Sequence, residues 1–171
     1  MPYSDLNLTH NPATGTVAPA TWGDQIRTNQ EFFIDPPACS VFHSATVNAT
    51  SGTPGPLLAD SENFDNDAMH STVTNNSRIT AVTAGRYLVT GIAEFSSNSL
   101  GYRQMNLRKN GTTAIAGIRQ QPLTDAVGNA YSLSQTVVLA ATDYLELMVL
   151  QTSGSTLTVQ LYEFAVLYLT R

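Results

Sequence analysis

Thirteen residues near the carboxyl end, from Leu157 to Leu169, read LTVQLYEFAVLYL and indicate a β-strand that is apolar on both faces. Alternate residues of a strand point to opposite faces, and a strand of an antiparallel sheet normally has one polar face. One face here carries Tyr162, Phe164, Val166 and Tyr168, and the other carries Val159, Leu161, Ala165, Leu167 and Leu169. We therefore expect one face in the core of the domain and the other against a second copy of the chain.

Strand-like runs with a period of two also fill most of the sequence before this segment. The runs span 41–50, 78–83, 85–95, 104–118, 132–140 and 144–151. The run 104–118 contains Asn110-Gly111, a strong hairpin signal because both residues tolerate positive φ. Many short strands separated by turns predict an all-β, antiparallel sandwich or barrel.

The first 38 residues form a separate segment, ahead of a β domain over 39–171. A short helix is predicted over about 22–34, with Trp22, Ile26 and Phe33 along one stripe. Asp35-Pro36-Pro37 ends it, because proline cannot donate a backbone hydrogen bond. A helix of this length is marginal alone in water. Its apolar stripe must therefore dock on a partner, on the domain or on symmetry-related copies.

Composition excludes several classes of protein. The net charge of −5 argues against a nucleic-acid partner, which would need a basic face. Cys39 is the only cysteine, so no intrachain disulfide forms. No window approaches the roughly 18 apolar residues of a membrane span, so we expect no membrane insertion. No signal peptide is visible, which predicts a soluble chain synthesised in a cytoplasm.

The sequence offers no convincing catalytic, cofactor or metal site. One acidic run contains Asp60, Glu62, Asp65 and Asp67, and oxygen-rich loops can hold calcium. The run lacks the EF-hand pattern, however, and we interpret it as a solvated loop. His10, His43 and His70 have no metal-ligand spacing, and no nucleophile elbow is present. We expect a protein without enzymatic activity and without a cofactor.

Two predicted loops, 98–103 and 123–131, are candidates for recognition, because loops at the ends of a sandwich carry function. Tyr102 and Tyr131 could stack on sugars or on protein there. The alternative is that both tyrosines are half-buried at a sheet edge.

The order of the strand motifs resembles the globular heads of the complement and tumour-necrosis-factor superfamily over 41–171. The matching motifs are Arg78-Ile79-Thr80-Ala81, Ala84-Gly85-Arg86-Tyr87-Leu88-Val89, Leu107-Arg108-Lys109-Asn110-Gly111, Ser134-Gln135-Thr136-Val137-Val138-Leu139 and Asp143-Tyr144-Leu145-Glu146-Leu147. Thr142 is a departure, since that family usually has glycine before the aspartate. The resemblance implies a jelly-roll sandwich that forms homotrimers. We expect the interface to include Tyr162, Phe164, Val166, Tyr168, Tyr87 and Phe95.

The front of the chain is similar to the N-terminal segment of small structural proteins of tailed bacteriophages. Further on, Phe64-Asp65-Asn66-Asp67-Ala68-Met69-His70 is similar to phage versions of this jelly roll. The similarity at the front rests on Gly15-Thr16-Val17, Ala20, Trp22-Gly23-Asp24, Ile26-Arg27 and Asn29. It implies that the first 38 residues attach the protein to a virion. We expect Trp22, Ile26, Phe32 and Phe33 to make that attachment.

Together these resemblances imply a homotrimeric structural protein on the virion surface, with capsid or tail proteins as partners. A capsid decoration or head-fibre protein is favoured by the small size and the absence of a shaft. A tail-fibre or tail-tip head that binds a host surface glycan or receptor is an alternative. A secreted lectin of the same superfamily is another, although it would normally have a signal peptide and disulfides.

Overall fold

The computed structural model describes residues 20–123 and 128–170, and these form one helix and eleven strands. Residues 1–19 of the predicted arm and 124–127 of the second predicted loop lie outside the described residues. The elements are α1 (Ala20–Ile34), β1 (Ala38–Phe42), β2 (Val47–Ala49), β3 (Gly55–Pro56), β4 (Ser61–Asp65), β5 (Arg78–Thr80), β6 (Gly85–Phe95), β7 (Arg103–Lys109), β8 (Thr113–Gln120), β9 (Asn129–Leu139), β10 (Tyr144–Gln151) and β11 (Leu157–Thr170). No helix in the described ranges is long and apolar enough to cross a membrane.

The strands form two antiparallel sheets around one core. Sheet I has the order β4-β1-β11-β6-β9, with β2 also pairing with β11. Sheet II has the order β3-β10-β7-β8, with β5 also pairing with β10. The prediction of an all-β antiparallel sandwich is confirmed. The strand with two apolar faces, β11, lies in the interior of sheet I between β1 and β6.

Alternate residues of the long strands fill the core, as the period of two predicts. On β6 the buried side chains are Tyr87, Val89, Ala93 and Phe95. Register places Tyr87 opposite Tyr168 and Val89 opposite Val166, so these pairs share the inner face of sheet I. Leu145 and Leu147 on β10 cover them from sheet II and are fully buried.

Two turns contain residues with positive φ. The first turn was predicted from its residues, and the second is unfavourable for the residue that it contains. Asn110 and Gly111 both have positive φ, 52° and 73°, which confirms the predicted hairpin. Thr142 also has positive φ, 75°, although a β-branched residue is unfavourable there. The turn is nevertheless tight, because the Asp143 amide donates to the Ala140 carbonyl over 3.1 Å.

Two segments are organised differently from the prediction, and several other element ends shift by one to three residues. The strand predicted over 41–50 is divided into β1 and β2, because Ser44 turns toward Asp60. The Ser44 amide and hydroxyl donate to the Asp60 carboxylate over 2.8 and 2.7 Å. The acidic run predicted as a loop contains β4, which pairs with β1 at the edge of sheet I.

Candidate functional site

The inner face of β11 carries the residues that sequence reasoning assigned to the trimer interface. Tyr162, Phe164, Val166 and Tyr168 are buried within the chain, and so are Tyr87 and Phe95 on β6. Side chains enclosed between sheets I and II have no surface to offer a second chain. The predicted interface set is therefore corrected: these six residues form the core, and the opposite face of sheet I is the one left open.

The outer face of sheet I carries a group of exposed apolar side chains, interrupted by Arg86, toward the end nearest the helix. Leu167 on β11 lies opposite Leu88 on β6, and Val138 on β9 lies opposite Arg86, two residues before Leu88 on β6. Leu167, Leu169 and Val138 are 43, 49 and 65% exposed, and Leu88 is partly exposed. We name Leu88, Val138, Leu167 and Leu169 the arm-end patch. Exposed apolar side chains grouped in this way are typical of a contact surface.

The other half of the same face is polar. Glu163 lies opposite Ile92 and Phe42, and its carboxylate accepts the Ser40 hydroxyl over 3.0 Å. Asn63 Nδ2 donates to the Ser40 hydroxyl oxygen, also over 3.0 Å. A shallow depression of about 400 Å³ lies beside this cluster, lined by Thr90, Ile92, Ser132, Ser134 and Glu163. The face therefore changes from apolar to hydroxyl-rich along the strands.

Glu163 is the signal that could have identified the outer face from sequence. It shares its strand parity with Ala165, Leu167 and Leu169, and an ionised carboxylate is rarely buried unless it is paired. The apolar residues of the strand do not distinguish its two faces, whereas this one charge does. The side chain of Leu161, on the same parity, lies outside the described residues.

The helix docks on the domain through a different side than the predicted stripe. Phe32 is buried, with its ring edge-on to Tyr168 at 5.1 Å between centroids, and Asn29 is buried beside it. The prediction that Phe32 attaches the protein to the virion is wrong, because its side chain packs inside the chain. Ile26 and Phe33 stay 45 and 71% exposed, and Trp22 is half-buried. We name Trp22, Ile26 and Phe33 the open stripe.

The four acidic residues considered for calcium have separate structural partners. Asp65 accepts the backbone amides of Met69 and His70 over 2.9 and 2.8 Å, and Asp67 accepts the Thr83 hydroxyl. Glu62 contacts His70 Nδ1 at 2.8 Å. In the described ranges no three His, Cys, Asp or Glu side chains are grouped as a metal site requires.

Asp60, the fourth carboxylate, holds the bend between β1 and β2. Hydrogen bonds from the Ser44 amide, and then from the hydroxyls of Ser44 and Ser61, lower the pKa of Asp60 to about 2. The carboxylate is thus ionised at neutral pH and used for local structure.

The two tyrosines of the predicted recognition loops have different positions. Tyr131 is buried in the core with its ring 5.9 Å from that of Phe95, so the expectation that it is exposed for recognition is corrected. Tyr102 is half-buried, and the Arg119 guanidinium lies 4.7 Å from its ring centroid. The first loop is held instead by Arg103, which is fully buried and donates to the carbonyls of Asn98 and Leu100.

Comparison with known proteins identifies the architecture. No protein-family model and no curated protein sequence matches the chain. The globular domain of zebrafish complement 1qA superposes with a TM-score of 0.59 at 17% identity, covering 79% of this chain and 98% of that domain. The tumour necrosis factor Eiger from S. frugiperda gives a TM-score of 0.54 at 16% identity, covering 78% of this chain and 94% of that one. The fold is a complement/tumour-necrosis-factor-like jelly roll. At these identities the likeness is one of fold, and it confirms the fold class that the strand motifs predicted.

Proposed function

We propose that this jelly roll is a non-enzymatic structural protein that forms homotrimers and is carried on the surface of a bacteriophage virion. Three copies associate through the outer faces of their sheets I. The arm-end patch is the observation that carries this proposal, because it leaves Leu167, Leu169 and Val138 in contact with water in the isolated chain. In a closed cyclic oligomer each copy buries this patch against its neighbours, and no complementary surface stays exposed to recruit further copies.

The magnitude of burial is consistent with association. Fully burying a Leu or Val side chain contributes about 1.5–3 kcal/mol, and the patch residues are already partly covered. Each would then contribute about 1 kcal/mol, or several kcal/mol per copy before the costs of association. Three copies are favoured over two by the sequence resemblance to heads that trimerise and by the jelly-roll fold.

The proposal that the protein is not an enzyme is supported by the hydrogen bonds that its acidic and histidine side chains make within the chain. Asp60, Asp65 and Asp67 accept hydrogen bonds within the chain. His70 contacts the Glu62 carboxylate on one ring nitrogen and the Asn76 carbonyl, at 3.2 Å, on the other. Both ring nitrogens of His70 thus have contacts within the chain.

The virion location is supported by the resemblance of residues 15–29 and 64–70 to phage structural proteins. The open stripe of α1 is the surface that we assign to attachment, since the domain itself leaves Ile26 and Phe33 exposed. A place on the capsid, as a decoration or head-fibre protein, is favoured because no shaft separates the arm from the head. A tail fibre or tail tip is the competing location.

Electron microscopy of labelled virions tests the proposal. An antibody against the head should mark the capsid shell. A label at the tail tip would instead support a receptor-binding head, and unlabelled particles would contradict a virion protein. Phe33→Asp should abolish binding to particles while the purified chain keeps its oligomeric mass, because Phe33 is 71% exposed on the helix and lies outside the arm-end patch.

A further inference from the structure

The second large surface of the molecule, the outer face of sheet II, carries three of the seven arginines of the sequence. Met105 and Leu107 on β7 point into the core, so their neighbours Gln104, Asn106 and Arg108 point outward. Register places Arg108 opposite Glu146 on β10, and Glu146 opposite Arg78 on β5. Arg119 on β8 lies opposite Gln104. Arg78, Arg108 and Arg119 therefore share one face, which we name the arginine face.

This face is cationic in a chain of net charge −5. Glu146 is the one carboxylate directly opposite any of the three arginines, and it already has hydrogen-bond partners. It accepts the Ser77 hydroxyl over 2.7 Å and contacts Arg78 Nε at 3.4 Å. Arg108 lies directly opposite it, but among the described residues Arg108 makes no ion pair, and its buried Nε has no hydrogen-bond partner. The arginine face thus carries three positive side chains against one carboxylate, and Arg108 is the one of the three for which the described residues supply neither an ion pair nor a hydrogen bond to Nε.

The negative charge of the chain lies elsewhere. Residues 20–67, which form the helix and the β1–β4 region, contain seven Asp and Glu residues and one Arg. Since strands are about 4.8 Å apart and rise about 3.3 Å per residue, the backbones of Arg78 and Arg108 are about 10 Å apart. Arg119 lies about 14 Å from Arg108 by the same geometry. Such spacing suits several separate anionic groups along a polymer better than a single small anion.

Two tyrosines of the face, Tyr144 and Tyr102, bear on whether the anionic polymer is a nucleic acid or a polysaccharide. The Arg78 guanidinium lies 4.1 Å from the ring centroid of Tyr144, and Arg119 covers Tyr102 in the same way. Single-stranded nucleic acid binds proteins by stacking its bases on open aromatic rings. Here a guanidinium lies over one face of each ring, so a base would have to displace it or use the other face, whereas the charges and the amides of Gln104 and Asn106 are directly available to an anionic polymer.

We propose that the arginine face binds an acidic polysaccharide, with Arg78, Arg108 and Arg119 contacting its sulfate or carboxylate groups. The proposal does not depend on the trimer, since the face is on the side of the sandwich away from the arm-end patch. A trimer would present three such faces and raise the avidity.

Binding to immobilised polymers tests the proposal. The full chain should be retained on dextran sulfate or on polygalacturonate, released by salt, and not retained on neutral dextran. The double variant R108Q/R119Q should bind roughly tenfold more weakly, because exposed ionic contacts contribute modestly each. It should also lower the slope of log affinity against log salt concentration by up to about one for each arginine removed, as counterion release predicts.

R27Q is the matched control, because it makes the same charge change on the helix. Arg27 lies between Asp24 and Glu31 there, remote from sheet II. R27Q should bind as the unaltered chain does, and light scattering should give all variants the same mass. Equal binding by R108Q/R119Q and the unaltered chain would overturn the proposal, as would equal retention on neutral dextran. Tighter binding to a single-stranded oligonucleotide than to dextran sulfate would overturn the assignment to a polysaccharide.

Discussion

The ring of Phe32, in the N-terminal helix, lies perpendicular to the ring of Tyr168, in the last strand, with centroids 5.1 Å apart. Tyr168 makes the same kind of contact with Tyr87 at 5.4 Å, and the Tyr87 hydroxyl donates to the Thr83 carbonyl over 2.6 Å. Edge-to-face aromatic pairs add stability beyond their buried area. The helix is thus joined to the head by a continuous aromatic column that reaches the core.

Replacing Phe32 by alanine should therefore destabilise the whole head. We expect the free energy of unfolding to fall by about 2–4 kcal/mol, because a buried aromatic ring is lost and Tyr168 is uncovered. Phe33→Ala is the matched control, since Phe33 is the next residue and is mostly exposed. It should change the free energy by about 0.5 kcal/mol or less. Equal effects of the two variants in denaturant unfolding would show that the helix does not pack as described.

Thr142→Gly should stabilise the protein. Thr142 has a φ of 75°, and a β-branched residue in this region carries strain that glycine does not. The gain should be about 1 kcal/mol after the greater unfolded-state entropy of glycine is subtracted. Ala141→Gly, in the same turn, removes no positive-φ strain and should lower stability instead. Thermal unfolding of both variants checks the prediction, and a lower midpoint for Thr142→Gly would contradict it.

Gly101 should tolerate no side chain. Its φ is 69°, and a Cβ there would lie 2.0 Å from the Thr152 carbonyl oxygen. Gly154 has a similar φ, 86°, but open space around it. Gly154→Ala should therefore cost about 1 kcal/mol for the backbone alone, whereas Gly101→Ala adds overpacking and should cost about 2–5 kcal/mol. Comparable stabilities of the two variants would mean that the loop before β7 shifts freely.

Acid should weaken the contact between the β7–β8 hairpin and the β9–β10 turn. Hydrogen bonds from Asn110 and Lys109, and one from the Ala140 amide, lower the pKa of Asp143 to about 2. Because this pKa is lower in the folded than in the unfolded chain, the carboxylate stabilises the fold above about pH 4, and the contribution is lost as the pH falls toward 2.

The variant Asp143→Asn isolates this effect. Its free energy of unfolding should be lower near neutral pH, and it should fall less than that of the unaltered chain between neutral pH and about pH 3. Denaturant unfolding at the two pH values makes the comparison. An identical acid loss in both proteins would rule out Asp143 as a contributor.

The positions of several strands could be predicted from sequence, because alternation of apolar residues and turn residues are signals within the strand or turn itself. The period of two gave 85–95 and 144–151 with the bounds that β6 and β10 have in the structure. The Asn110-Gly111 turn was predictable because few residue pairs accept two positive φ angles. The division of the 41–50 run was not predictable, because it depends on Asp60, sixteen residues beyond Ser44.

Surfaces were harder to predict than strands. Both parities of β11 are apolar, so alternation alone could not say which one faces sheet II, and only Glu163 carried that information. The arginine face combines residues of β5, β7 and β8, and it exists only once the register of those strands with β10 and with each other is fixed. On the helix, Phe32 rather than the predicted stripe meets the domain, because Tyr168 is available beside it.

The mass of the purified chain in solution tests the central claim most directly. Light scattering at micromolar concentration should give three chains of 18.4 kDa, about 55 kDa in total. Leu167→Asp places a charge in the arm-end patch and should reduce the mass to that of one chain. Leu58→Asp, at a side chain of similar exposure outside sheet I, should leave it unchanged. A monomer of the unaltered chain, folded and soluble at that concentration, would contradict the account.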